Sequence, residues 1–362
     1  MNNIKKLGLT ALAGSLVTLG SATAGEMSVS GAVNVTLGYG TIGGNSSRAI
    51  GTDRDVSFTG GGELDNGTTF SMNTTMDDDF AVSGSTTTIT TPSIGSFTLG
   101  TGYGLQSGKY DEEVPQAYEQ ISDGKQTMAN LVGNFMDGNA ISYTSPTFDL
   151  MGASVRLDAG YSPQATDAGQ NDGDNDSWNN TYGEGTELGL TISYDALQVG
   201  VYGSERENKT PASNTTSGQE IGDEFNGAWY VKYSMGPVSI GYSETYMDAG
   251  VTADDSSSVN SSIVERTGGG IFTGEQMSIA FNVNDNMSIS YTTSDETYDT
   301  QDNAATAVTT DDDVTETVDA IQVAYSMGGM SIKAYQMEVT NPDQDQDAAD
   351  ASITEIALGF AF

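Results

Sequence analysis

Apolar residues recur at every second position along this chain, and no other feature constrains its fold as strongly. In the stretch EMSVSGAVNVTLGYG, Met27, Val29, Val33, Val35, Leu37 and Tyr39 take odd positions, while Ser28, Ser30, Asn34 and Thr36 take even ones. Successive side chains of a β-strand point to opposite faces, so this spacing predicts a strand with one apolar and one polar side. The pattern outlasts the usual globular strand of about 5–6 residues and suits a tilted membrane-crossing strand of about 9–11. After residue 24 there is no run of about 18 apolar residues, so a membrane crossing has to use strands. Lipid offers the backbone no hydrogen bonds, so strands cross it only as a closed barrel.

The same alternation returns along the whole chain. Phe70, Met72 and Met76 share one face, as do Leu188, Leu190, Ile192 and Tyr194, then Met277, Ile279, Phe281 and Val283, and finally Ile356, Leu358, Phe360 and Phe362. The hairpins YSMGPVSIGY, FNVNDNMSISY and YSMGGMSIKAY are variants of one unit, each with an aromatic residue on either side of a tight turn. Tight turns are expected at Asp65-Asn66-Gly67, Pro92 to Gly95, Ser145-Pro146-Thr147, Asp195-Ala196, Met235-Gly236-Pro237, Asn284-Asp285-Asn286 and Met327-Gly328-Gly329. Between them fall longer connections at roughly 41–53, 77–83, 103–138, 162–184, 207–222, 249–270, 299–313 and 341–350. The count is sixteen strands, with short and long connections in strict alternation, as bacterial barrels place short turns at one rim and long loops at the other. The fold class is therefore all-β, a closed antiparallel transmembrane β-barrel of about 16 strands.

One segment breaks the alternation. Residues 103–138 carry the acids Asp111, Glu112 and Glu113, then Pro115, then a helix-like run over 114–136. The first residues read as an export signal. Lys5 and Lys6 precede an apolar stretch over 7–20, and Ala22-Thr23-Ala24 fits a cleavage site. The domains are then a signal peptide, 1–24, and a barrel, 25–362.

With 50 Asp and Glu against 12 Lys and Arg, the net charge is −38, which excludes nucleic acid as a partner and favours cations. Seventeen Tyr and 11 Phe placed at regular intervals argue against disorder. There is no cysteine, so no disulfide framework exists, and no histidine, which removes His-based zinc sites and every triad that uses a histidine base. Nothing in the chain points to an enzyme.

The last strand, ending on Phe360 and a terminal Phe362, together with the export signal, the sixteen strands and the stretch ISYTSPTFDLMGASVRLDAGYSP, resembles the general porins of Gram-negative bacteria, especially the acidic alphaproteobacterial type. The resemblance implies a homotrimer in the outer membrane, bedded in its lipid, through which small hydrophilic solutes and ions diffuse passively without a cofactor. It also implies that the third long loop, 103–138, folds into the lumen and sets acids against wall bases. By position those acids are Asp111, Glu112, Glu113, Glu119 and Asp123, although the PEFG-like motif of enteric porins is absent. Arg156 has the polar parity of a strand whose Val155 and Leu157 face outward, so it is the expected wall base. Lys232 also has polar parity, Arg54 has outward parity, and Lys333 is ambiguous. Glu244 falls on the apolar side of its strand. So few bases against so many acids predict a cation-preferring pore.

Two further readings remain. Asp172, Asp174 and Asp176 open a D-x-D-x-D spacing, but Ser177 stands where a calcium loop needs Gly and Gly183 where it needs Glu, so they are weak calcium candidates for loosely bound Ca2+. The alternative to a pore is a secreted, acidic, calcium-stabilised β-solenoid or adhesin, which would show a fixed repeat.

Overall fold

The computed structural model describes residues 26–42, 44–77, 81–101, 106–123, 140–165, 182–209, 222–250, 270–299 and 313–362. The export signal and Asp172, Asp174 and Asp176 lie outside the described residues. The strands are β1 (Glu26–Ile42), β2 (Asn45–Glu63), β3 (Thr69–Met76), β4 (Val82–Thr91), β5 (Gly95–Thr101), β6 (Ala140–Thr144), β7 (Phe148–Leu150), β8 (Ala153–Ser162) and β9 (Tyr182–Tyr194). Then come β10 (Leu197–Asn208), β11 (Glu224–Met235), β12 (Val238–Asp248), β13 (Ile271–Asn284), β14 (Met287–Asp299), β15 (Val314–Met327), β16 (Met330–Thr340) and β17 (Ala351–Ala361). Apart from β6 and β7, which both pair with β8, neighbours in sequence pair antiparallel, and β1 pairs with β17 from Ala32↔Ala361 to Thr41↔Ser352, which closes the barrel. Phe362 seals the seam. Its N–H donates to the Gly31 carbonyl at 3.0 Å, and the Gly31 N–H donates back at 2.8 Å. This closure leaves the solenoid reading without support.

The barrel is inside-out relative to a water-soluble protein. The alternate apolar residues face outward, with Leu188 69 % and Ile321 62 % exposed, whereas the inward Thr292 and Gln322 are fully buried. Only a surrounding lipid phase makes such an outer face stable, since each exposed large side chain would otherwise forgo about 1.5–3 kcal/mol of burial.

Three expectations change. The turn at Ser145-Pro146-Thr147 is an interruption within one barrel strand, because β6 and β7 both pair with β8. Pro146 has no N–H for the ladder, and the Ser145 hydroxyl fills in by accepting from the Leu157 N–H at 2.9 Å. The real turn is at Met151 and Gly152, both at positive φ (55° and 89°). Counting β6 and β7 as one position leaves sixteen strands in the wall.

The first connection is not the loop over 41–53. β1 and β2 stay paired to Ile42↔Asn45, so the strict alternation of short and long connections fails at its first member. The polar run SSRAIGTDRD looks like a loop because strands beyond the bilayer need no apolar alternation. Third, the helix-like run over 114–136 has no α-helix among its described residues. They form bends, irregular backbone and a single 3-10 turn, Ile121–Asp123. Pro115 stands in the first turn of the run, where a helix tolerates proline, so the difference lies in partners outside a helix, which take the N–H groups of Ala117 and Tyr118.

Candidate functional site

The segment over 106–123 lies inside the barrel and is fastened at three places. At its root, the Gln106 carboxamide donates to the carbonyls of Tyr143 and Ala159 at 3.3 and 3.4 Å. The 3-10 turn Ser107–Lys109 then delivers Lys109 and Tyr110 to Asp158 on β8. Lys109 Nζ lies 2.7 Å from Asp158 Oδ1 and 2.8 Å from Thr144 Oγ1, and the Tyr110 hydroxyl donates to Asp158 Oδ2 at 2.8 Å. Arg156 Nε donates to the same Oδ2 at 2.9 Å, and its Nη2 to Thr191 Oγ1 at 3.3 Å. One buried carboxylate thus holds two cations and a phenol. Tyr110 also stacks on Tyr202 with ring centroids 5.2 Å apart. A Cβ on Gly189 would sit 2.4 Å from the Tyr110 ring, so the ring fits only over a glycine.

In the middle, the chain turns at Glu112, whose φ is 46°. Its side chain is buried and serves the loop itself. Glu112 Oε2 accepts from the Ile121 N–H at 2.9 Å and from Gln276 Nε2 on β13 at 2.8 Å, and the Ser122 hydroxyl donates to Oε1. Glu113 pairs with Lys232 of β11.

At the far side, the wall takes over the loop's backbone bonds. The Ala117 N–H donates to Ser290 Oγ at 2.9 Å, the Tyr118 N–H to Gln322 Oε1 at 2.8 Å, and Gln322 Nε2 to the Glu119 carbonyl at 2.8 Å. The Tyr118 hydroxyl donates to Glu355 Oε1 at 2.9 Å. Tyr118 and Ile121 rest on an apolar inner patch that includes Val318, Tyr335, Met337 and Ile353. Pro115 approaches β12 so closely that a Cβ on Gly241 would lie 2.4 Å from its Cδ. Burial pushes the Tyr110 and Tyr118 phenols well above their ordinary value, aided by the carboxylates they face, so both stay protonated donors.

The expected site residues therefore separate. Arg156 meets Asp158 of its own strand, not a loop acid. Of the loop acids, Glu113 meets a wall base, Glu112 is an internal staple, Asp111 and Glu119 are part-buried within the segment, and Asp123 closes the turn Ile121–Asp123. Lys232 points inward to Glu113, and Lys333 lies 5.1 Å from the Tyr118 ring centroid. Arg54 is exposed, on the outward face expected of it. Sequence reasoning missed Asp158, although it shares parity with Arg156 two residues away. It also missed Lys109, a base contributed by the loop itself. Among the described residues no group of three or more His, Cys, Asp or Glu could hold a metal ion.

Comparison with known proteins agrees with this architecture. A family model described as Gram-negative porin matches residues 8–362. No curated protein sequence matches the chain. Among solved structures, OmpF of Salmonella typhi, in complex with daunomycin, superposes with a TM-score of 0.67 at 12 % identity, covering 93 % of this chain and 97 % of that one. The anion-selective porin of Comamonas acidovorans gives 0.65 at 11 % identity over 93 % and 100 %. A loop L8 deletion mutant of OmpT, an outer membrane protein of Vibrio cholerae, gives 0.64 at 14 % over 94 % and 100 %.

Proposed function

The chain belongs to the Gram-negative porin family, and from that premise we propose that it is a homotrimeric, cation-preferring porin for small hydrophilic solutes. The outer-membrane location and passive diffusion through the barrel follow from the family and the fold. The finer reading rests on the charge arrangement at the lumen loop. Three of the bases that the loop and its adjoining wall bring together, Lys109, Arg156 and Lys232, are each held by a carboxylate, and a fourth, Lys333, lies against the Tyr118 ring. What remains to act on a passing ion is the field of a chain with net charge −38, and a surplus of acids in a water-filled channel favours cations.

In this reading Asp111, Glu113 and Glu119 line the narrowed passage with Arg156, while Glu112 holds the loop in shape. No reaction takes place and no cofactor takes part; Ca2+ enters only as a loosely held counter-ion of the loop acids. Reversal potentials across planar bilayers under a KCl gradient test the selectivity. A potential of the sign that reports chloride permeation would reject it.

A further inference from the structure

The lumen segment covers one side of the barrel and not the other. Its contacts given above run from β6 to β17, and inward residues there, such as Thr191, Tyr230, Gln276 and Gln322, are buried. The inward residues of β2–β5, from Ser57 to Thr98, are only half-buried. Because they point inward, their exposed surface faces the lumen.

This wall is lined by hydroxyls. Thr88 Oγ1 lies 2.9 Å from Thr98 Oγ1, and Thr90 Oγ1 lies 2.8 Å from Ser96 Oγ. Register extends the pairs into a ribbon, with Ser71 beside Thr88 and Ser142 beside Thr98. A hydroxyl has one O–H and two lone pairs. A pair such as Thr88 and Thr98 therefore spends one O–H on itself and keeps the other, with lone pairs, for a partner in the lumen. The wall also has no base facing in. Its inward rows carry the acids Asp53 and Asp55, whereas Arg48 and Arg54, the only Lys or Arg on β1–β5, share the outward face of Tyr39 and Val33.

We propose that solutes cross along this base-free hydroxyl ribbon, and that it favours uncharged polyhydroxylated solutes, sugars and polyols, over zwitterions of equal size. The ribbon acts only if the barrel is a diffusion pore, so its role rests on that reading and adds the solute class to it. Sugar hydroxyls exchange their bonds to water for bonds to the Thr and Ser hydroxyls. A zwitterion brings a carboxylate that needs a base. Here both sides of the passage present acids, Asp53 and Asp55 on the wall and Asp111 and Glu119 on the segment, while Lys109, Arg156 and Lys232 are already held by carboxylates.

Swelling of liposomes reconstituted with the full-length protein tests the ribbon, with arabinose and zwitterionic glutamine as probes of similar size. Arabinose should enter at least ~3-fold faster than glutamine. Thr88→Val combined with Thr98→Val removes both hydroxyls of a pair and keeps their shape, a change the fold tolerates. With heat-modifiable migration and potassium conductance retained, that variant should slow arabinose by about 3-fold or more. Thr87→Val, on the outward face beside Met72, should change nothing. Thr98→Arg supplies the missing base and should bring the two rates together. Equal wild-type rates for the two probes, or an arabinose rate untouched by the paired Val variant, overturn the ribbon's role. Passive diffusion and cation preference then still stand, because conductance and reversal potential read them separately. A chloride-side reversal potential with arabinose still favoured supports the ribbon and rejects cation preference alone.

Discussion

At the scale of single residues, Asp158 carries more of the loop's position than any of the expected acids. Its carboxylate, with no exposed side-chain surface, gathers Lys109, Arg156 and Tyr110. Charge-assisted hydrogen bonds contribute about 1.5–3 kcal/mol each when buried, but both cations keep about a third of their surface in water, so the gain is nearer the low end. Asp158→Asn should therefore leave the barrel folded, free two positive charges into the lumen and lower the potassium-to-chloride permeability ratio; an unchanged reversal potential would show that these bases do not face the ion path. Tyr110 gives a pH dependence. Its phenol pKa is raised above 10.0 by burial, so the folded protein holds this proton more tightly than the unfolded chain does. The contribution is complete below pH 10 and is lost as pH rises through the shifted value. Channel noise should thus increase in strong alkali in the wild type, and Tyr110→Phe, which lacks the ionising hydroxyl, should not show that step.

At the scale of elements, the lumen segment is held by close approach as much as by hydrogen bonds. Gly189 and Gly241 leave room for Tyr110 and Pro115. Ala at either position puts a methyl where a ring now lies, and overpacking of this kind costs about 1–3 kcal/mol. We expect Gly189→Ala and Gly241→Ala to keep heat-modifiable migration while changing single-channel conductance, since the loop can shift and the strands cannot. Deleting residues 111–119 should go further and raise the conductance, and an equal conductance would mean that the segment does not narrow the passage. Over its described residues, 114–123, the helix-like pattern misled because apolar spacing cannot say whether a neighbouring helical turn or a wall of Ser290, Gln322 and Ser278 will take the backbone bonds. The turn at 145–147 misled for a related reason. Ser-Pro-Thr has turn chemistry, but β8 continues past it and Met151-Gly152 has the positive φ angles that the reversal needs.

At the scale of the whole molecule, closure depends on the last strand meeting the first. Ten residue pairs join β1 to β17, and Phe362 ends the seam against Gly31. Removing residues 351–362 opens two strand edges at membrane depth, which lipid does not tolerate. Such a truncation should not give a heat-modifiable species, and recovery of a folded channel from it would contradict the closure.

The two-residue period, the missing spanning helix and the missing cysteine and histidine were enough to determine a sixteen-stranded barrel and to exclude the chemistries that need those residues. These are local properties, since the parity of a side chain is set by its own strand. Which charges meet inside was decided only by the tertiary structure. Register, tilt and the path of residues 106–123 bring Lys109 to Asp158 and Glu113 to Lys232 across 49 and 119 positions of chain, and no local period carries that information.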